Sequence, residues 1–172
     1  TKYKFKNDSK IVLGYGRLHK IKRFDYLIRS FQKIKDKNCF LVIVGPDFGE
    51  KSNLNQIVCD LNLNNKVFIL DPINYQDRNE LFNCVDLMVL PSVSENFSNV
   101  VPEALINGVP VIASKGTPWG ILENYNCGFH IKISDHEISK HIKLIFKKPK
   151  SYYKDNCLKL AHNFSIKKST HI

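Results

Sequence analysis

Short apolar runs recur along this chain, each followed by a stretch long enough for one amphipathic helix, and this alternation constrains the fold more than any other feature. The runs are Ile11 to Tyr15, closed by Gly16; Cys39 to Val44, ended by Gly45-Pro46; and Val67 to Leu70, stopped by Asp71-Pro72. Val85 to Leu90, ended by Pro91, and Val109 to Ala113, before Gly116-Thr117-Pro118, complete the set. Between them, Tyr26, Leu27, Phe31 and Ile34 repeat at helical spacing from Asp25, and Leu54, Ile57, Val58 and Leu61 do so again. Leu81 and Phe82 mark a short third helix, and Val101 to Ile106 a fourth with a Gly108 exit. Ile138, Ile142 and Ile145 predict a lysine-decorated helix, and Tyr152 to Phe164 a final one. Strands alternating with helices predict an α/β fold: a mainly parallel, Rossmann-like sheet with helices on both faces. No Gly/Ser-rich linker or repeat interrupts it, so residues 1–172 read as a single domain whose last helices fill about residues 135–165.

A chain of 172 residues with 43% apolar content supports its own core without disulfides or a structural metal. The five cysteines are widely spaced with no C-x-x-C pair, which predicts reduced, mostly core thiols and no metal site. The longest apolar run is far short of the roughly 18 residues a membrane-spanning helix needs. The start, T-K-Y-K-F-K-N-D-S-K, has no apolar stretch behind its charges, so it does not read as a secretory signal, and the expectation is a cytoplasmic protein. A net charge of +10 favours an anionic partner: nucleic acid, an anionic membrane face or a phosphorylated small molecule.

In a parallel sheet, ligands bind at the carboxyl ends of the strands, where free N–H groups and helix N-termini favour anions. The first such loop is G-Y-G-R-L-H-K-I-K-R. Gly16 leaves the backbone bare after the first strand, and Arg17, Lys20, Lys22 and Arg23 crowd positive charge beside it. That loop suits a diphosphate, with an arginine fork and a lysine point charge neutralising the two phosphates. It lacks the third glycine of a dinucleotide fingerprint, and no P-loop pattern occurs. Without a ligand it would be a solvated basic turn. The second loop, P-S-V-S-E-N-F-S-N-V-V-P-E-A-L, places Glu95 after the central strand and Glu103 in the next helix, roughly one turn beyond its start near Ser98 and Asn99. Helix N–H groups that receive an anion, beside a carboxylate that accepts sugar hydroxyls, suit a nucleotide sugar. The structural alternative is a surface acid at Glu95 and a lysine-paired Glu103.

The segment S-E-N-F-S-N-V-V-P-E-A-L-I-N-G-V-P-V-I-A-S resembles the glutamate-x7-glutamate motif of the family-4 retaining glycosyltransferases. Upstream, G-R-L-H-K-I-K-R-F-D-Y-L-I-R-S-F looks like the family's G-R-L-x-x-x-K-G-x-D-x-L-I-x-A-F, and F-L-V-I-V-G and V-D-L-M-V-L-P-S follow in order. Downstream, K-G-T-P-W-G-I-L-E-N-Y-N-C-G-F is similar to bacterial members that build lipopolysaccharide or capsule, so the likeness covers about residues 10–131. It implies one half of a GT-B fold, the C-terminal donor-binding half. The N-terminal acceptor domain would be missing, and the chain would be a fragment or excised domain of a larger protein.

The resemblance implies that Arg17 and Lys22 hold the donor diphosphate beside Gly16, that Glu95 lies against the transferred sugar, and that Glu103 binds the ribose hydroxyls. Asn96, Phe97, Ser98, Asn99 and Val100 would line the sugar and phosphates, largely with backbone N–H groups, and the base would lie along Ile69 to Asn74, near Ile73. Catalytic roles fall to Glu95, Arg17 and Lys22. The implied substrate is a nucleoside-diphosphate sugar, a UDP- or GDP-sugar, transferred with retention to a glycan or lipid-linked acceptor; no cofactor is expected. The absence of D-x-D agrees with metal-independent chemistry. Three departures stand out: Arg23 for the glycine of K-G, Ser98 for a more usual glycine, and Asp71 for the glycine after the third strand. They keep open an alternative, a degenerate nucleotide-binding module without transfer activity.

His19 and His130 read as loop residues, and Trp119 and Phe129 as core or loop anchors. No aromatic-and-basic interleaving or helix-turn-helix pattern occurs, so nucleic acid is not an expected partner. Lys140, Lys143, Lys147, Lys148 and Lys150 form either a solvated helix face or a peripheral contact with anionic lipid at the inner membrane face.

Overall fold

A computed structural model of the chain describes Phe5 and residues 8–169. Its strands are β1 (Lys10–Tyr15), β2 (Cys39–Val44), β3 (Val67–Leu70), β4 (Leu87–Leu90), β5 (Val111–Ser114) and β6 (Gly128–Ile131). They form one sheet in the order β3-β2-β1-β4-β5-β6, with every pairing parallel. β1 is central: Val12 lies opposite Leu41 on one side and Leu87 on the other. Such a strand is covered on both faces, which is why Ile11, Val12 and Leu13 are all buried and no polar residue alternates with them.

The helices are α1 (Phe24–Ser30), α2 (Lys51–Asp60), α3 (Tyr75–Cys84), α4 (Val100–Ile106), α5 (Ile121–Asn124), α6 (Asp135–Ile145) and α7 (Lys150–Ser169). The chain moves outward from β1 to β3, crosses back through α3, and moves outward the other way from β4 to β6. Right-handed crossovers therefore place α1 and α2, which link β1 to β3, on one face and α4, which links β4 to β5, on the other, while α6, beyond the last strand, returns to the face of α1. α1 packs against α2 and α6 on one face, and α4 against α7 on the other.

Local chemistry sets the helix ends. The Ser134 hydroxyl accepts from the Glu137 N–H at 3.0 Å and starts α6, the S-x-x-E arrangement of a capping box. The Asp47 carboxylate receives the N–H groups of Gly49, Glu50 and Lys51 at 2.9, 3.1 and 3.1 Å and opens α2. α2 ends where Asn62 turns left-handed (φ 54°) and the Leu63 N–H returns to the Val58 carbonyl at 2.9 Å.

Several expected boundaries move. The helix expected to continue from Asp25 to Ile34 stops at Ser30, whose hydroxyl donates back to the Leu27 carbonyl, and a 3-10 turn over Phe31–Lys33 follows. α3 is a full ten-residue helix and not a short one, since its polar first half, Gln76 to Glu80, gives no apolar stripe to read. β4 begins at Leu87, two residues late, because the Val85 N–H still caps α3 and Asp86 spends its N–H and its carboxylate on Ile11. β5 likewise begins after Val109, whose N–H returns to Ala104, and after Pro110, which has no N–H to give. β6 is an additional strand; as an edge strand carrying half-exposed Phe129 and His130, it reads in sequence as loop. Cys39, Cys127 and Cys157 lie in the core as expected, whereas Cys59 and Cys84 are exposed.

Candidate functional site

Because all strands are parallel, their carboxyl ends share one edge of the sheet, and the chain departs in opposite directions from β1 and β4. A crevice opens between the loops that leave these two strands, the usual place for a ligand in such a sheet. The two loops are joined: the Val93 N–H donates to the Ile21 carbonyl at 2.8 Å, and the Lys22 ammonium forms an ion pair with the Glu95 carboxylate. Ser92 donates a second hydrogen bond to the same Glu95 oxygen at 2.7 Å. Two predicted residues 73 positions apart in sequence thus meet at the switch point.

Lys22 is buried, with 10% of its side chain exposed, and Glu95 retains 16%. The surface-acid alternative for Glu95 is thereby corrected, since it is the counter-charge of a buried lysine. Breaking such a pair from one side is costly, because the remaining charge is left desolvated. Gly16 explains how the lysine fits. At φ +144° it takes a conformation L side chains rarely adopt, and a Cβ there would lie 3.2 Å from Lys22 Cε. The neighbouring loop is drawn equally close, since a Cβ on Gly116 would collide with the Val93 carbonyl.

Arg17 stands at the open rim, exposed, its guanidinium 5.2 Å from the centre of the Phe48 ring in the loop after β2. Arg23 turns away from the crevice: its guanidinium makes two bonds of 3.0 Å to Asp25 and lies 4.1 Å over the Tyr26 ring. Asp25 holds the Arg23 pKa above its ordinary value. His19 caps the Lys20–Lys22 turn through Ile21 N–H, and His130 is bonded to the Thr117 carbonyl at 2.9 Å. Both are held as local structure.

The loop from Asn96 to Asn99 runs into α4 with its backbone donors unspent: the N–H groups of Asn96, Phe97, Ser98 and Asn99 meet no protein acceptor among the described residues. Asn96, Phe97 and Asn99 are exposed, and Val100 is buried at the start of the helix. Ser98 is left-handed, φ 64°. The loop is anchored by the predicted Trp119, buried, whose indole N–H donates to the Phe97 carbonyl at 2.6 Å and whose ring packs on Phe97 and Phe164 at 5.1 and 5.4 Å. Phe129 packs edge-on against His141.

Glu103 faces Arg78 and not a lysine. Arg78 Nη1 lies 3.0 and 3.2 Å from the two carboxylate oxygens, and its guanidinium is 5.2 Å from the centre of the Tyr15 ring at the end of β1. Ile73 is half-buried in the loop after β3, next to the exposed Asp71, which pairs with Lys51 at 2.5 Å. Sequence reasoning missed Arg78, Phe48 and Ser92. Arg78 sits in a wholly polar run, where nothing in the sequence marks one residue as turned toward a partner helix.

A central parallel strand, a two-way crossover and a charged crevice at their switch point define a Rossmann-like α/β domain of the kind found in GT-B glycosyltransferases. Residues 1–165 match the family Glycosyl transferases group 1, and the chain belongs to it. It is 32% identical over 108 residues to the Uncharacterized glycosyltransferase MJ1607 of Methanocaldococcus jannaschii, a match covering 63% of this chain and 28% of that one. It is 31% identical over 110 residues to the D-inositol 3-phosphate glycosyltransferase of Mycobacterium marinum, covering 62% and 23%. The matches therefore span about a quarter of the length of these curated relatives. Among solved structures, the fold superposes on Anabaena Alr3699/HepE in complex with UDP with a TM-score of 0.81 and 25% identity, covering 91% of this chain and 44% of that one. WaaG, a glycosyltransferase involved in lipopolysaccharide biosynthesis, gives a TM-score of 0.82 at 20% identity, over 92% and 44%. The C-terminal domain of LpcC, a group 1 glycosyl transferase of Francisella tularensis, gives 0.78 at 22%, over 90% of this chain and 85% of that domain.

Proposed function

We propose that this chain is the donor-nucleotide-binding, C-terminal half of a retaining, metal-independent glycosyltransferase. It would act on a nucleoside-diphosphate sugar, with a UDP-sugar favoured, and pass the sugar to a glycan or lipid-linked acceptor held by a further domain. The observation that carries this reading is the meeting of Gly16, Lys22 and Glu95 at the β1/β4 crevice beside unspent backbone donors. The UDP bound by HepE supports the base, and the match to most of the LpcC C-terminal domain supports the placement of the chain within a longer enzyme.

In this reading the bond between anomeric carbon and diphosphate oxygen breaks through an oxocarbenium-like transition state, the acceptor hydroxyl oxygen bonds to that carbon on the same face, and its proton leaves with the departing nucleoside diphosphate. The leaving diphosphate gains charge, and only groups that bind it more strongly as it does so accelerate the step. Arg17 and Lys22 supply that charge from the loop after β1, and the N–H groups of Phe97, Ser98, Asn99 and Val100 supply dipoles from the start of α4. Glu95 holds Lys22 in place and receives sugar hydroxyls, while Glu103 receives those of the ribose. The two cationic side chains take the part a divalent cation plays elsewhere, which is the basis for metal-independence. The departures at Arg23 and Ser98 are compatible with a working site, since both residues adopt left-handed backbone.

Calorimetric titration with UDP, GDP, ADP and CMP tests the reading. Selective binding of one nucleoside diphosphate, unchanged by EDTA and weakened at least about tenfold in Arg17→Ala/Lys22→Ala, is expected, as each charge-assisted contact is worth roughly 1.5–3 kcal/mol. A folded chain that binds none of them overturns it. Binding by the full enzyme without sugar transfer would leave the non-catalytic nucleotide module in its place.

A peripheral membrane contact has its own observation in support. A groove of about 630 Å³ between the Phe31–Lys33 turn and α6 is lined by Lys33, Lys35, Lys140, Lys143, Lys147 and His136; Lys33 is paired with Asp135 and Lys140 with Glu137, so the wall carries more cations than carboxylates. Among the described residues no helix is long and apolar enough to cross a membrane, so this contact would be electrostatic. Sedimentation with phosphatidylglycerol-containing vesicles, lost in Lys140→Glu/Lys143→Glu and at high salt, is the expected result; equal binding to neutral vesicles removes the contact.

A further inference from the structure

The crevice contains two carboxylates, and each is matched by one cation from a different element: Glu95 by Lys22 and Glu103 by Arg78. The second pair is formed by residues 25 positions apart, between α3 and α4. Its geometry is specific. A single nitrogen, Nη1, bridges both Glu103 oxygens at 3.0 and 3.2 Å, while the guanidinium lies against Tyr15, the last residue of β1, whose ring in turn packs on Phe82 of α3 at 6.3 Å. The Glu103 backbone is fixed as well: its N–H donates to the Asn99 carbonyl at 3.3 Å, and its carbonyl accepts from Asn107 Nδ2 at 2.8 Å. Both side chains keep close to 30% exposure, so the carboxylate is oriented from one side and open on the other.

We infer that Arg78 is a positioning residue that presets the Glu103 carboxylate to accept the two hydroxyls of a ribose, and so makes the site selective for ribonucleotides over deoxyribonucleotides. The inference rests on the donor-site reading above. An ionised carboxylate offers about four acceptor positions. Nη1 occupies one on each oxygen, which leaves each oxygen able to take one hydroxyl of a vicinal diol. A free glutamate must give up rotamer freedom to meet both hydroxyls at once, whereas the clamped one has already lost it. Arg78 also cancels a negative charge beside the place where a diphosphate would lie, which a lone Glu103 would repel. The role is indirect: Arg78 acts through Glu103 and needs no contact with the ligand.

The test measures the ratio of dissociation constants for 2′-deoxy-UDP and UDP on the full 172-residue chain, in the wild type, Arg78→Met, Arg78→Lys and Glu103→Gln. The wild type is expected to favour UDP by about tenfold or more, the value of one hydrogen bond to a charged acceptor. In Arg78→Met the preference falls to within about threefold, matching Glu103→Gln, and the Arg78→Met/Glu103→Gln double variant loses nothing further, as for two residues acting through one contact. Arg78→Lys, which keeps the charge without the bridging geometry, loses part of the preference and serves as the reporter if Arg78→Met melts early. A purely structural arginine would weaken both nucleotides equally and leave the ratio at its wild-type value, which overturns the inference. UDP binding by the wild type with no preference over 2′-deoxy-UDP also overturns it while leaving the donor site standing. No UDP binding by the folded wild type removes the donor-site reading and this inference together.

Discussion

At the scale of single residues, two of the three places where this chain departs from the glycines of its family motifs are left-handed, Arg23 at φ 51° and Ser98 at φ 64°, while Asp71 is not. The backbone has kept a conformation that glycine adopts freely and that costs another residue roughly 1–2 kcal/mol. The two sites differ in what they gain. Arg23 recovers energy through its double bond to Asp25 and its contact with Tyr26, whereas the Ser98 side chain makes no hydrogen bond among the described residues. Ser98→Gly is therefore expected to stabilise the chain by about 1 kcal/mol, or roughly 2–4 °C in melting temperature. Arg23→Gly is expected to be close to neutral, its relief of backbone offset by the lost clamp. A calorimetric melt of each decides. Nucleotide affinity is expected to fall in Glu103→Ala, and an unchanged titration would remove Glu103 from the site. How far such residues were legible in sequence depended on what marked them. Lys22 and Glu95 lie in motifs that a resemblance identifies, though their pairing across 73 positions is a property of the fold. Arg78 lies in a polar run with no mark at all.

At the scale of elements, β2 coincides with the apolar run that predicted it, because a buried parallel strand needs unbroken apolar sequence, and the edge strand β3 coincides with its run although only Val67 in it is buried. β6, the other edge strand, escaped because Gly128 and His130 break its apolar run, whereas Val67 to Leu70 is unbroken. The polar front of α3 concealed half of a helix whose register is set by its neighbours. Element ends also determine the pH response. Asp36 is held below the ordinary aspartate value of 3.8 chiefly by Lys10, Asp47 chiefly by the Lys51 N–H at the start of α2, and Asp135 chiefly by Lys33. A carboxylate with a lowered folded-state pKa favours the native state above its unfolded value, and that contribution is lost as pH falls through the folded one. Stability is therefore expected to be flat near neutrality and to decline from about pH 4 downward, with Asp47→Asn and Asp135→Asn each flattening part of the decline in urea melts. An unchanged acid limb in both variants would show that these carboxylates do not govern it.

At the scale of the whole molecule, the order of the strands was implied by alternation only as a class of solutions, since no local run states that β1 sits in the middle or that β4 lies beside it. The interior also partitions the thiols. Burial pushes the Cys39 pKa up to about 12 and raises that of Cys157, where the first cause is its contact with Cys127. Native protein is expected to give two thiols, Cys59 and Cys84, rapidly to a thiol reagent, and all five only after denaturation. Five fast thiols in the native state would contradict the packed core. The aromatic anchor of the crevice loop has a practical side. The chain's one tryptophan is Trp119, shielded from water and bonded through its indole nitrogen to the backbone of Phe97. Its emission is thus expected to serve as a built-in optical gauge of that loop: a molecule that pulls on residues 96–99 should shift the tryptophan spectrum, so that occupancy of the crevice is read by light without a label.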